Sequence, residues 1–121
     1  MTSHDQLAKS LLKLYFADFL RLVDPRAAGQ LRAAQATFLD KEAFTDQPSG
    51  DRREMDLVAE VPVEGEEIPL LIHVEIETTY SSAMGRRLWN YYMLLRLRHR
   101  REVLPIVLNL HGGPAGVRAG V

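Results

Sequence analysis

Two short segments in the middle of the chain restrict what it can fold into more than anything else in it. From Glu54 to Val63 apolar residues alternate, with Met55, Leu57, Ala59, Val61 and Val63 on one face and Asp56, Val58 and Glu60 on the other. From Ile68 to Glu77 the alternation repeats, with Ile68, Leu70, Ile72, Val74 and Ile76 sharing one face and Leu71, His73, Glu75 and Glu77 the other. A period of two is the signature of a strand. Glu64-Gly65-Glu66-Glu67 between the segments is the right length for a hairpin connection. Antiparallel pairing across such a hairpin brings Asp56 within side-chain reach of Glu75 or a near neighbour.

Helical spacing flanks this hairpin. From His4 to Val23, Leu7, Leu11, Leu12, Tyr15, Phe16, Phe19, Leu20 and Val23 form a wide apolar face, with Ser3 as the expected N-cap and Asp24-Pro25 as the stop. A short strand is expected at Ala36 to Leu39, and turn chemistry at Gln47-Pro48-Ser49-Gly50. From Ser81 to Arg101 one helical stripe holds Met84, Leu88, Tyr91, Tyr92, Leu95 and His99, and a second holds Trp89, Met93 and Leu97. Two stripes are more than one sheet face covers, so a further layer or a homodimer through Trp89, Met93 and Leu97 is expected. Val103 to Leu110 reads as an interior strand, and the glycine-rich end as a loop or frayed tail. The expected fold is therefore α/β, in the order helix, three strands, helix, strand. One domain is expected over residues 1–111, with a flexible tail over 112–121.

Composition sets outer limits. With 121 residues and 46% hydrophobic content the chain is long enough for one real core. The absence of cysteine excludes disulfides, thiolate metal sites and a cysteine nucleophile. No apolar run approaches the length of a membrane span, and no signal-peptide pattern opens the chain, so no membrane partner and a cytoplasmic location are expected. The net charge of −1 argues for no particular partner, but its distribution is uneven. Twelve acids lie between Asp40 and Glu77 against Lys41, Arg52 and Arg53, whereas Arg86 to Arg101 holds six arginines and no acid.

Asp56, Glu75 and Glu77 are the residues most suited to chemistry. Carboxylate oxygens suit hard divalent cations such as Mg²⁺, and a site with two carboxylates and several waters serves phosphoryl transfer. Spacing alone leaves open that Glu75 and Glu77 are alternate residues on a solvated strand face, and that His73 is an ordinary face histidine.

Five ordered strings add a family resemblance: His4-Asp5-Gln6-Leu7, Phe38-Leu39-Asp40-Lys41-Glu42, Arg52-Arg53-Glu54-Met55-Asp56-Leu57, Leu71-Ile72-His73-Val74-Glu75-Ile76 and Val103-Leu104-Pro105-Ile106-Val107-Leu108. Together they resemble the recombination-promoting nuclease and transposase family of the PD-(D/E)XK nuclease-like superfamily, over His4 to about Pro114. The resemblance implies a restriction-endonuclease-like core of order α-β-β-β-α-β, a mixed sheet flanked by helices, and metal-dependent DNA cleavage of mobile-element type. It implies that Asp56 and Glu75 hold Mg²⁺ or Mn²⁺ and that DNA is the partner, with Arg86, Arg87 and Arg96 as candidate phosphate contacts. Glu77 falls where the superfamily has lysine and the family often glutamine, so it is either a further catalytic carboxylate or the mark of a dead site. Ser10 stands where relatives carry an acid after the residue matching Lys9. The resemblance also implies a chain shortened at its C-terminus. The rival expectations are a catalytically inactive remnant that binds DNA or protein, and a pure dimerisation module.

Overall fold

The computed structural model describes residues 3–39, 57–77, 82–110 and 116–119. The chain opens with two helices, α1 (Ser3–Leu14) and α2 (Phe16–Val23), followed by the short α3 (Pro25–Ala28) and a single 3₁₀ turn. Strands β1 (Thr37–Phe38), β2 (Leu57–Val61) and β3 (Leu70–Glu77) come next. Helix α4 (Met84–Met93) runs directly into a π-helical turn at Leu94–Arg98, and strands β4 (Val103–Asn109) and β5 (Gly116–Ala119) complete the chain. The five strands lie in the order β1-β2-β3-β4-β5. All neighbouring pairs are antiparallel except β3 with β4, which α4 connects as a parallel crossover. This is an α/β fold with a mixed sheet flanked by helices.

The alternation read from the sequence sorts the side chains onto two faces. Leu57, Ala59 and Val61 of β2 join Ile72, Val74 and Ile76 of β3 and Ile106 of β4 in one core, which Leu12, Phe16 and Leu20 close from the helical layer. Phe38 packs edge-on against Phe16 at 5.2 Å between ring centroids, tying β1 to that layer. On the opposite face Val58 and Leu71 meet Tyr91, Leu94 and Leu95 in a second, smaller core. The sheet therefore has apolar cover on both sides. Strand β3, bonded to β2 and β4, is buried from Leu71 to Glu77.

The first helical segment is two helices where the spacing predicts one. Tyr15 (φ −116°, ψ 35°) interrupts the run, although its N–H still donates to the Leu11 carbonyl and its own carbonyl still accepts from Phe19. The break leaves Phe16 and Leu20 buried against the sheet while Tyr15 stays exposed. Ser3 is the first residue of α1 itself, inside the helix where the sequence suggests its cap. Asp24 does two jobs at the expected stop. Its extended backbone before Pro25 ends α2, and its carboxylate accepts from the Ala27 N–H at 3.0 Å to cap α3. The expected turn at Gln47 to Gly50 lies outside the described residues.

The C-terminal end differs from the expected tail. Gly116–Ala119 pairs with Ile106–Asn109 as a fifth strand. Four residues are too few to show a period of two, and the pairing is made by main-chain groups that β4 offers whatever the side chains. The helix from Ser81 to Arg101 is also shorter and less regular than its spacing suggests, because its last turn is π-helical.

At the other end of the sheet, Arg101 fastens three segments together. Its Nη1 donates to the Glu60 carboxylate at 2.9 Å and its Nη2 to the Pro69 carbonyl at 2.6 Å, joining β2, the hairpin connection and the approach to β4. Arg100 just before it has φ 54°, a left-handed conformation that non-glycine residues seldom adopt. Replacing Arg101 by Ala should lower stability by about 1–3 kcal/mol, read as a lower urea midpoint with an unchanged slope. Arg26→Ala, at an exposed position on α3, should shift that midpoint by no more than about 0.5 kcal/mol equivalent.

Candidate functional site

The face of β3 turned toward α4 carries Leu71, His73, Glu75 and Glu77 in alternation, as the sequence implies, but it is covered and not solvated. His73 is fully buried, Glu75 is 3% exposed and Glu77 8%. An ionised carboxylate held this far from water must be met by donors or charge. His73 supplies the first donor, with Nε2 at 2.9 Å from Glu75 Oε2. An ionised Glu75 can only accept, so Nε2 carries the proton of that bond. The imidazole is held in place by Tyr91, whose ring meets it edge-on at 5.2 Å and 84°.

The second contribution is cationic and comes from α4. Arg87 Nε lies 3.9 Å from Glu75 Oε1, with its side chain only 17% exposed. Its Nη2 also lies 3.7 Å from the Met84 sulfur, one turn back. Arg87, one of the expected phosphate contacts, faces inward beside the carboxylate, whereas Arg86 is exposed. The helix geometry explains the difference: Arg87 and Tyr91 are four residues apart and share the sheet-facing side. Two buried polar atoms here, His73 Nδ1 and Arg87 Nε, lack a hydrogen-bond partner among the described residues.

The other sequence-derived site residues are distributed as follows. Asp56 lies outside the described residues. The chain passes from it directly into Leu57, which pairs with Val74, the neighbour of Glu75. Glu77 is in register with Asn109 on β4, and its carbonyl accepts from the Leu110 N–H at 2.8 Å. Arg86 is exposed. Arg96 is shared with Glu102 at 2.7 Å, and that carboxylate raises the guanidinium pKa by its hydrogen bond and its charge. Trp89 and Leu97 are exposed and Met93 is half-buried. Lys9 is buried on α1, while Ser10 is exposed.

Among the described residues no three of His, Cys, Asp and Glu are grouped so as to hold a metal ion. Glu75 and Glu77 nevertheless offer the donor chemistry that a hard divalent cation takes, since Mg²⁺ commonly uses one or two carboxylates and keeps its remaining waters. The His73 bond orients Glu75 in the manner typical of groups that support a ligating carboxylate. Glu75 and Glu77 are thus of the donor type an oxygen-seeking cation takes, while the charge placed beside Glu75 in this structure is the Arg87 guanidinium. His73 and Arg87 are the two members that residue patterns alone did not assign. The only signal for His73 was its i, i+2 relation to Glu75, and for Arg87 its place four residues before Tyr91.

Compared with known proteins, the chain matches no family model, and no curated protein or solved structure matches it. No helix among the described residues is long and apolar enough to cross a membrane.

A double-mutant cycle checks the buried pair. His73→Ala and Glu75→Ala should each destabilise the protein, and their combination should cost less than the sum by about 0.5–3 kcal/mol. Additive losses in urea unfolding would mean that the 2.9 Å contact contributes nothing.

Proposed function

We propose that the chain is a metal-dependent DNA endonuclease-like domain that hydrolyses phosphodiesters, of the kind used in recombination by mobile elements. The observation that supports it most is the paired burial of Glu75 and Glu77 on the central strand, with His73 bonded to Glu75 and Arg87 alongside. Acids out of water on a strand bonded on both edges are costly, and a charged ligand would give that cost a use. The family resemblance carried by the five sequence strings supplies the substrate class.

In this reading Asp56 and Glu75 hold Mg²⁺ or Mn²⁺, with Glu77 as a further carboxylate at the same place. When bound, such a cation lowers the pKa of water and polarises a phosphoryl oxygen. The chain's own residues have separate tasks. His73 fixes the orientation of Glu75 through the Nε2 proton. Tyr91 and the surrounding Val58, Leu71, Leu94 and Leu95 exclude water from the inner side of the carboxylates. Arg87 places positive charge near the site from the helix, where Glu77 removes the strand lysine typical of the superfamily.

The same Arg87 favours a second reading, a catalytically inactive remnant. A guanidinium 3.9 Å from Glu75 is a counter-charge that can satisfy the buried acid with no metal at all. Cleavage of supercoiled plasmid separates the two. The nuclease reading expects nicking with Mg²⁺ or Mn²⁺, loss with EDTA, and loss by at least two orders of magnitude (about 10²-fold) in Asp56→Ala and Glu75→Ala. Undiminished cleavage by Asp56→Ala would show that the assigned site is wrong.

Substitutions at Glu77 and Arg87 then sort their roles. If Glu77 blocks activity, Glu77→Lys should create or raise nicking while Glu77→Ala does less. If Glu77 is a working ligand, both should weaken Mg²⁺ binding in calorimetry. Arg87→Ala should tighten Mg²⁺ binding if the guanidinium only competes for Glu75, and should lower cleavage at saturating metal if it serves the phosphate.

A further inference from the structure

The N-terminal helices have a second apolar side that the sheet does not use. Leu12, Phe16 and Leu20 run across the interruption at Tyr15 and are buried in the main core. Leu7, Leu11, Leu14 with Tyr15, Asp18 and Leu22 also recur at intervals of three or four, which puts them on another line of α1 and α2. All six are exposed, Leu14 at 74% and Leu22 at 77%. The five apolar members make up most of the nine large apolar side chains exposed among the described residues, so the exposure is gathered in one patch and not scattered. A helix apolar on both sides has more to bury than one sheet face provides.

Two properties of this line select what covers it. The first is charge. Asp18 is its one charged member, and Arg21 is ion-paired with it on the same helix. The line therefore has no net charge to attract a polyanion or an anionic bilayer, and it needs no countercharge from a partner. The second is symmetry. Counted from the junction between Leu14 and Tyr15, Leu7 lies as far to one side as Leu22 to the other, and Leu11 as far as Asp18. A copy of the segment turned end over end by a two-fold axis through that junction sets Leu7 against Leu22, Leu14 against Tyr15 and the ion-paired Asp18 against Leu11. The two Asp18 carboxylates then stand about 10 Å apart along the helix instead of facing each other. Five such apolar side chains from each copy approach the roughly 1,200 Å² at which specific interfaces begin.

We infer that the exposed line of α1 and α2 is an interface with a second copy of this chain, the two segments packed antiparallel about the junction of Leu14 and Tyr15. These helices cover the opposite face of the sheet from α4 and the Glu75 carboxylate. The contact is therefore distinct from a dimer through Trp89, Met93 and Leu97, and it does not rest on the hydrolytic reading.

Sedimentation of the full chain at tens of micromolar should show a dimer whose dissociation constant hardly changes with salt, because the contact is apolar. Leu14→Gln with Leu22→Gln should raise that constant at least about tenfold. Both positions are exposed, so helix content by circular dichroism should be unchanged. The chain has no cysteine, which lets disulfide trapping read the direction of packing. The double variant Leu7→Cys with Leu22→Cys should oxidise to a covalent dimer. Neither single variant should, since like positions lie about 22 Å apart in the antiparallel arrangement. A similar distance separates the two positions within one chain, so the bond forms only between copies. A monomer at these concentrations, a dimer left intact by Leu14→Gln with Leu22→Gln, or a covalent dimer formed as readily by Leu7→Cys alone would overturn the proposal. So would a dimer dissolved by Trp89→Glu and not by the glutamine pair, which would assign the contact to α4. Nicking by a monomer would leave the Glu75 site standing and remove this interface.

Discussion

Strand β3 is hydrogen-bonded along both edges and covered on both faces, so each of its side chains from Leu71 to Glu77 has left water. For Leu71, Ile72, Val74 and Ile76 this removal is the driving force of folding. For His73, Glu75 and Glu77 it is a penalty, and the local arrangement of α4 answers it. Arg87 and Tyr91 occupy the helical positions that reach the same face of the strand. The His73 bond, the Tyr91 ring and the nearby guanidinium are all consequences of putting two carboxylates on the central strand of a mixed sheet.

That cover also separates the two arginine populations of the α4 region. Arg87 faces the carboxylates, and Arg101 is bound to Glu60 and the Pro69 carbonyl. Arg86 remains at the surface, and Arg96 reaches Glu102 and the Arg101 carbonyl beyond the helix end. A sequence rich in arginine over sixteen residues is therefore not one basic patch. One part neutralises buried acids, one fastens the hairpin, and one gives the outer face its charge.

The hairpin, the faces of both its strands, the crossover helix and the strand after it were legible because each rests on a period of two or 3.6 that burial imposes directly. Leu57, Ala59 and Val61 do meet Ile72, Val74 and Ile76. What escaped is governed by other physics. The break at Tyr15 involves no proline or glycine, so no local punctuation announces it. Strand β5 is recruited by main-chain pairing, which leaves no mark on side-chain pattern. The π-helical turn, in which Leu94 and Leu95 are both buried in the second core, follows neither of those periods. At the candidate site the sequence placed Glu75 and Glu77 on one face, but alternation cannot tell a solvated polar face from one covered by a helix. The inward turn of Arg87 was invisible for the same reason, since it depends on which side of α4 meets the sheet.

The parallel pairing of β3 with β4 also has a bearing on the order in which the molecule assembles. Eight residues connect β2 to β3, whereas twenty-five connect β3 to β4. Closing the longer connection costs about 1 kcal/mol more in chain entropy, so the hairpin is the cheaper early contact. Until the crossover docks, Glu75 and Glu77 remain on an open face of that hairpin, hydrated and without Arg87. In that order of assembly the acids would leave water late, after most of the apolar contacts between β2 and β3 are in place. Changes at these carboxylates act mainly on how fast the native state opens and little on how fast it forms, so lifetime is the kinetic quantity they control.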